Sequence, residues 1–532
     1  MAVAAGSAKG GTGNGRFTSA PGPDPIPLLG ALPLLVRYAQ DPIGNTTRLF
    51  KQYGNIVSLV RAPIRMMTPF GNGVVLVNGA PFNREVLTNH ERYHAYALPG
   101  TYYPTDERLA AAKSDERERL QPIRRTLTGL FHVNGDEHRR HRRLLQPAFA
   151  KTRIDAYRDD MVAIASSLFD EWRVDEGRDM HSEMTELTLR IATKTLFGAD
   201  AGERGVHLAR MMQQWLVTMF SLGMLLRVDW GPRVLEGMGV PTTPYRRWLD
   251  LTRRIDDETE SILAQKKKDV EALLAKGEAI PPDMLSMLIA ARDEDGSALD
   301  HDELVGHTGV IFAAGHETST NALSWTLFLL AEHPRIANDL VDELTGLLKG
   351  EAPTVEQLGK LPLLDAVVKE SMRILPPVPL HPRLVAEDHE LGGHFLPAHT
   401  EMFLSIFHMH HDPAVFPQPR RFDPSRWATI KPSVYEYNPF SAGPRMCIGA
   451  AFALMEIKIA LAMLLQRFRV EMPSSSRLDH RVAITMAPRQ GLPMIVRRAD
   501  QAWRAPIRTR AASAAVRGNI RDLVQLPRVA DA

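Results

Sequence analysis

A single cysteine, Cys447, stands in this chain of 532 residues, and it constrains the fold more than any other residue. A lone thiol forms no internal disulfide, so no covalent framework holds the body together. Its surroundings assign it another use. The stretch is Phe440-Ser-Ala-Gly-Pro-Arg-Met-Cys-Ile-Gly449, in which Gly443-Pro444 and Ile448-Gly449 favour a tight loop. An apolar run from Ala450 to Leu465 follows at once and reads as a helix. Cys447 is therefore predicted just ahead of a helix N-terminus, where unpaired N–H groups and the positive end of the macrodipole favour a thiolate. Arg445 adds a fixed positive charge two residues away. A buried structural cysteine needs none of this loop chemistry. A metal-ligating thiolate does, and the residues favour that reading.

The decapeptide resembles, position for position, the haem-binding loop F-x-x-G-x-R-x-C-x-G of the cytochrome P450 family, whose iron carries a cysteine thiolate. The resemblance implies a mostly α fold with a minor β region, one large helical domain beside a small β-sheet subdomain. It implies haem b (iron protoporphyrin IX) as cofactor, with Cys447 as the axial iron ligand. Phe440 would pack on the sulfur side of the haem and Arg445 would pair with a propionate.

Three further stretches carry the same resemblance in the same order. In Asn134-Gly-Asp-Glu-His-Arg-Arg-His-Arg-Arg-Leu-Leu-Gln-Pro147, His138 and Arg142 lie at i,i+4 on one helix face. Residues at this spacing hold a haem propionate in the family. Arg139, Arg140 and Arg143 fall partly on other faces, as a candidate basic patch for an acidic electron-transfer partner. The long helical stretch from His301 to His333, ended by Pro334, carries Ala313-Ala-Gly-His-Glu-Thr-Ser319. Small residues thin the helix wall there, so that a flat macrocycle and dioxygen can approach, with Ala314 against the cofactor. Glu317 sits in the most apolar part of the helix, where an unpaired carboxylate is costly. By resemblance Glu317 and Thr318 are the catalytic acid and alcohol that relay protons during oxygen activation. Glu370-Ser-Met-Arg373 matches the family's E-x-x-R, and Arg421 in Pro419-Arg-Arg-Phe422 is expected to complete that structural triad. Arg383 matches a second propionate arginine. Tyr96, Leu98, Ala313, Val378, Leu380 and Thr485 are candidates for the substrate pocket. His408, His410 and His411 lack acidic company and do not read as a zinc site.

The rest of the chain supplies boundaries. Residues 1–21 are read as a disordered Gly/Ala/Ser-rich N-terminus, 22–498 as the P450 domain and 499–532 as a basic tail. Short strands are expected at Asn55–Val60 and Gly73–Val77, an aromatic loop from His94 to Pro104, two helices over 155–200, and a charged helix from Tyr245 to about Leu274. The Met-rich run from Met211 to Leu226 is too short to span a bilayer, and no segment has the apolar length of a membrane anchor. With a net charge of +2, no global field points to nucleic acid or to an anionic membrane. These features fit a cytoplasmic protein. The tail is too short for a flavin reductase domain, so electrons are expected from a separate ferredoxin or flavodoxin-type donor with its NAD(P)H reductase.

The function implied is a haem-thiolate monooxygenase that inserts one atom of O2 into an apolar small molecule by hydroxylation or epoxidation. Fatty acid, terpenoid, steroid and polyketide substrates all remain open. A peroxide-using or isomerising relative is the first rival, and a haem sensor or carrier the second. The acid–alcohol pair Glu317-Thr318 counts against both.

Overall fold

A computed structural model describes residues 18–64, 71–96, 121–125, 128–198, 202–219, 243–473, 476–499 and 516–527. The helical body is built from α1 (Gly135–Leu145), α2 (Arg158–Asp170), α3 (Met180–Phe197), α4 (Gly202–Met219), α5 (Thr243–Lys276), α6 (His301–Glu332), α7 (Pro334–Leu348), α8 (Pro362–Ile374) and α9 (Ala450–Arg467). Helix α6 is its axis. Asp300 opens it with a capping box: its carboxylate accepts from the Glu303 amide, and the Glu303 carboxylate accepts from the Asp300 amide, each at 2.8 Å. From Ser319 to Glu332 every residue of α6 is buried, because α3, α8 and α9 pack around it. A helix so enclosed has no solvent-facing stripe, and its hydroxyls at Thr320, Ser324 and Thr326 bond inside the core. Helix α9, which follows the cysteine loop, is enclosed in the same way.

The β region is a five-stranded sheet of β1 (Ile56–Ser58), β2 (Val74–Val77), β3 (Tyr93–Ala95), β4 (Leu380–Val385) and β5 (Glu401–Ser405), in the order β1-β2-β5-β4-β3. Only the β2–β5 pairing is parallel, with Val74 opposite Glu401. Both strands expected near the N-terminus form. The aromatic loop does not begin where its residues suggested, since His94 and Ala95 pair with Leu384 and Arg383 in β3. Over 155–200 the short helix Lys151–Ala156 precedes α2 and α3, so that region holds the end of a third helix. Residues 97–104 of the expected aromatic loop, 220–226 of the Met-rich run and Leu98 lie outside the described residues.

Leu380 is corrected. Instead of facing a substrate it packs with Tyr38, Val57 and Phe403 in the apolar cluster on one side of the sheet. The domain limits move as well. Ser19 exchanges hydrogen bonds with Phe395, and Ala20 is buried beside the sheet. Beyond residue 498, Val516, Ile520, Leu523 and Val524 enter the main core. The Arg517 backbone bonds Leu478 and Ser476, and the Gln525 amide donates to the Arg420 carbonyl. The stretch 516–527 is therefore part of the packed body, apolar residues having outweighed the basic ones that flank them.

The triad is corrected too. Glu370 and Arg373 on α8 are fully buried and form a two-bond pair, each bond 2.9 Å. The second arginine on Glu370 is Arg426, whose Nε donates to Oε1 at 2.8 Å. Arg421 sends its side chain to Gln418 and offers only its carbonyl to Arg373 and Arg426. The Pro-x-Arg-aromatic pattern at Pro419–Phe422 recurs at Pro424-Ser-Arg-Trp427, and this second copy carries the working arginine. Its Trp427 indole also donates to Glu370, at 3.1 Å. Removing one partner of a buried pair leaves a bare charge, so Arg426→Ala should cost about 3–5 kcal/mol. Arg421→Ala should stay within about 0.5 kcal/mol of wild type. Chemical denaturation of both variants checks the assignment, and equal losses would restore Arg421 to the triad.

Candidate active site

The cysteine loop is closed by its own backbone. The Cys447 amide donates to the Phe440 carbonyl at 2.8 Å, and a single 3₁₀ turn spans Gly443–Arg445. Gly443 has φ +69°, and a Cβ there would sit 2.3 Å from the Leu87 carbonyl oxygen. Only glycine meets both demands. Helix α9 starts three residues after the cysteine. Cys447 has exposed surface and lines a cavity of about 400 Å³. Crowding by the surrounding protein raises the thiol pKa, opposed by the Gly449 N–H and by Arg142. The arginine that favours the thiolate is thus Arg142 rather than the Arg445 singled out in the sequence, and burial works against both it and the helix start. A coordinating metal removes the proton outright.

A second wall of the cavity is α6. Ala313, Ala314, Gly315, Glu317 and Thr318 all line it. Space is open beside Gly315, with no atom within 4 Å of where a Cβ would stand, so the thinned wall expected from sequence is present. The Thr318 hydroxyl donates to the Ala314 carbonyl at 2.9 Å. Thr485, expected in the substrate pocket, lines the cavity and donates to Glu317 Oε1 at 2.7 Å. The carboxylate that looked isolated in the sequence therefore has a partner from a distant loop. Tyr96, Val378 and Phe440 also reach the cavity. Most of the exposed lining is apolar.

One part of the lining is not. His138, Arg142, Arg383 and Arg445 converge on the cavity, as their resemblance implied. Arg142 donates to the Met446 carbonyl at 2.8 Å, Arg383 to Pro382 at 2.7 Å, and Arg445 to Leu130, Val133 and Asn134. Among the described residues no carboxylate neutralises these guanidiniums. Burial lowers Arg383 to about 10, and burial with Arg383 and Arg142 lowers Arg445 to about 9. Burial, aided by Arg445 and Arg142, holds His138 near 3 and hence neutral. Nδ1 of His138, Nε of Arg445 and Nδ1 of His381 are buried without a bonding partner. His381 lines the cavity and was not singled out from the sequence; its spacing of two before Arg383 on β4 was the available signal. Apolar faces, a rim of uncompensated cations and a soft sulfur donor together suit a flat, apolar, anionic macrocycle that carries a metal.

Elsewhere the sequence expectations divide. Arg139 pairs with Asp136 and Glu91, Arg140 with Glu303, and Arg143 with Asp293. The expected basic patch is thus already matched by acids of the same chain. His408 bonds Thr47 and Ser405, His410 accepts from the Asn438 amide, and His411 bonds the Phe407 carbonyl, so these histidines hold loops in place. No helix among the described residues is long and apolar enough to cross a membrane.

Comparison with known proteins accounts for this cavity. The family model for cytochrome P450 matches residues 108–492. The chain belongs to the cytochrome P450 family. It is 30% identical to cyclooctatin synthase of Streptomyces melanosporofaciens over 71% of this chain and 80% of that protein. It is 32% identical to pentalenene oxygenase of Streptomyces avermitilis, covering 64% and 74%. Human cytochrome P450 4F2 is 31% identical, over 64% and 69%. The structure of a cyanobacterial P450, CYP120A1 with retinoic acid bound, superposes with a TM-score of 0.72 over 91% of this chain and all of that one, at 24% identity. The fold is that of the family, and the protein is a P450 monooxygenase. P450 enzymes carry haem, draw electrons from redox partners and take apolar substrates.

Arg383 has no acidic partner among the described residues, so its charge is expected to serve the cofactor's carboxylates. A hydrogen bond to a charged group is worth about 1.5–3 kcal/mol. Arg383→Gln should therefore release haem roughly ten- to a hundredfold faster, as measured by transfer to an apoglobin scavenger. An unchanged release rate would remove Arg383 from the cofactor site.

Proposed function

We propose that the cavity holds haem b, ligated through Cys447 Sγ, and that the protein inserts one atom of O2 into an apolar small molecule. The observation that carries this is the single cysteine opening onto the same cavity as the acid–alcohol pair Glu317-Thr318 and the unpaired cations. Haem bound there supplies the activation of O2 and the oxygen insertion. Arg142, Arg383 and Arg445, with the free nitrogens of His138 and His381, hold its carboxylates. Apolar residues of α6 and β4, with Tyr96, exclude water and orient the substrate. Thr318 Oγ1 can accept and pass a proton at the cavity face of α6. The Glu317 carboxylate, held by Thr485, replenishes that proton from solvent. Electrons are assigned to a separate ferredoxin or flavodoxin-type donor with its NAD(P)H reductase, in the cytoplasm. Pentalenene, which gives one of these relatives its name, is the first substrate to try. Loss of the iron-bound water spectrum on titration would identify a ligand of the cavity.

Two variants test this reading. Cys447→His should abolish the strongly red-shifted Soret band of the reduced carbon monoxide complex, and survival of that band would overturn the thiolate assignment. Thr318→Ala replaces the hydroxyl by a good helix former, so fold and haem content should persist. Proton delivery should fail while electron consumption continues. Product per NADPH should drop about a hundredfold, the lower range for a positioned proton donor, with hydrogen peroxide appearing in its place. Unchanged coupling would remove the hydroxyl from the relay.

A further inference from the structure

Behind the wall that α9 presents to the cavity lies a carboxyl group with no part in the chemistry above. Glu456 is 1% exposed. Its helix neighbours Phe452, Ala453 and Ile457 line the cavity, whereas Glu456, one turn beyond Phe452 along α9, is buried in the core and does not. Both carboxyl oxygens are buried without a bonding partner. Across the α6–α9 contact, the cavity-lining Ser319 hydroxyl is equally unpartnered and acts on the ionisation of Glu456. Ser319 directly follows Thr318.

An ionised carboxylate isolated in an apolar core is costly, and proteins avoid the cost by keeping the proton. Burial accordingly raises Glu456 to about 8, with Ser319 opposing the shift. Charged groups on the elements packed against α9 have partners elsewhere. Asp365 and Lys369 of α8 pair with each other, and Asp365 also with Lys458 of α9. Glu370 pairs with Arg373 and Arg426. Glu343 of α7 accepts from the Leu363 and Leu364 amides. Asp170 of α2 takes Arg467, and Asp155 takes Lys151. On α6, Glu317 takes Thr485, and His316 bonds the Phe312 carbonyl beside it.

We propose that Glu456 is a buried carboxylic acid behind the haem cavity that exchanges its proton with solvent in step with electron arrival there. This rests on the haem reading above. One electron from the redox partner takes the ferric iron to ferrous, and the added negative charge raises the proton affinity of Glu456. One proton from solvent then binds one carboxylate oxygen, and no other bond forms or breaks. Glu456 touches neither substrate nor cofactor, so it is a positioning residue that tunes the ease of reduction.

The sign follows from the charge. As pH rises through about 8, Glu456 ionises in the oxidised protein. The electron must then enter beside a negative charge, and the reduction potential falls. The experiment is a redox titration of the holoprotein across this pH range, with the red-shifted carbon monoxide Soret band recorded for each sample. Wild type should show a falling potential above about pH 8, and Glu456→Gln, neutral at every pH, should hold the acid-side value. Glu456→Asp should restore the fall. Ser319→Ala removes the group that favours ionisation, so its fall should begin at higher pH. Oxidised-minus-reduced infrared spectra in this window should show a protonated carboxyl band that Glu456→Gln lacks.

Identical potential curves in wild type and Glu456→Gln, with the Soret band intact, would overturn the proposal. Loss of the red-shifted band in wild type itself would instead overturn the haem reading. If Glu456→Gln fails to take up haem, the Ser319→Ala curve decides: a displaced window supports the coupling, and an unmoved one overturns it.

Discussion

Glu370 is the group on which the geometry of the site depends. A carboxylate with no exposure survives only if every lone pair is used. Here Arg373, Arg426, the Trp427 indole and the Asp423 amide supply the donors. Arg373 in turn binds the carbonyls of His410 and Pro419. The irregular chain from His410 to Trp427 is thereby fastened to α8, although it contains little regular structure of its own. Two further bonds extend the clamp towards the cysteine loop, from Tyr437 to the Lys369 carbonyl and from the Asn438 amide to His410. Cys447 is held where it is because the segment leading into it is pinned residue by residue to a buried helix.

The cavity inverts that logic. Around Glu370 the charges are matched within the protein, whereas around Cys447 one buried and two half-buried arginines meet, among the described residues, only carbonyl and amide oxygens. Their lowered pKa values measure a destabilisation that an anionic ligand would relieve. Folding this protein thus leaves electrostatic work undone on one side of the cavity, and the apolar lining leaves hydrophobic work undone on the rest. Both are completed by a single kind of ligand, flat, apolar and carrying carboxylates at one edge.

Short motifs with fixed internal spacing were legible because their chemistry is local. The loop from Phe440 to Gly449 needs its glycine at positive φ and its cysteine before a helix, and both are found. The i,i+4 pair His138 and Arg142 and the i,i+3 pair Glu370 and Arg373 share helix faces by helical geometry alone. The acid–alcohol pair on α6 follows from the same helix. The triad's second arginine was misplaced at Arg421 because two copies of one pattern stand five residues apart, and only packing against α8 distinguishes them. Leu380 was misplaced because, at the start of β4, it packs into the apolar cluster with Tyr38, Val57 and Phe403, and the cavity is lined by the residues just after it. Its neighbour His381 took the cavity face that had been assigned to it.

From sequence alone came the family, the cysteine loop, the acid–alcohol pair on α6 and the helical body, since each is encoded in residues close together in the chain. The tertiary structure decided the partners: Thr485 for Glu317, Arg426 for Glu370, acids of the same chain for the expected docking arginines, and the core for Val516 to Leu526. These pairings join residues tens to hundreds of positions apart. Their energy depends on burial and on distances of a few ångströms, neither of which exists until the chain has folded.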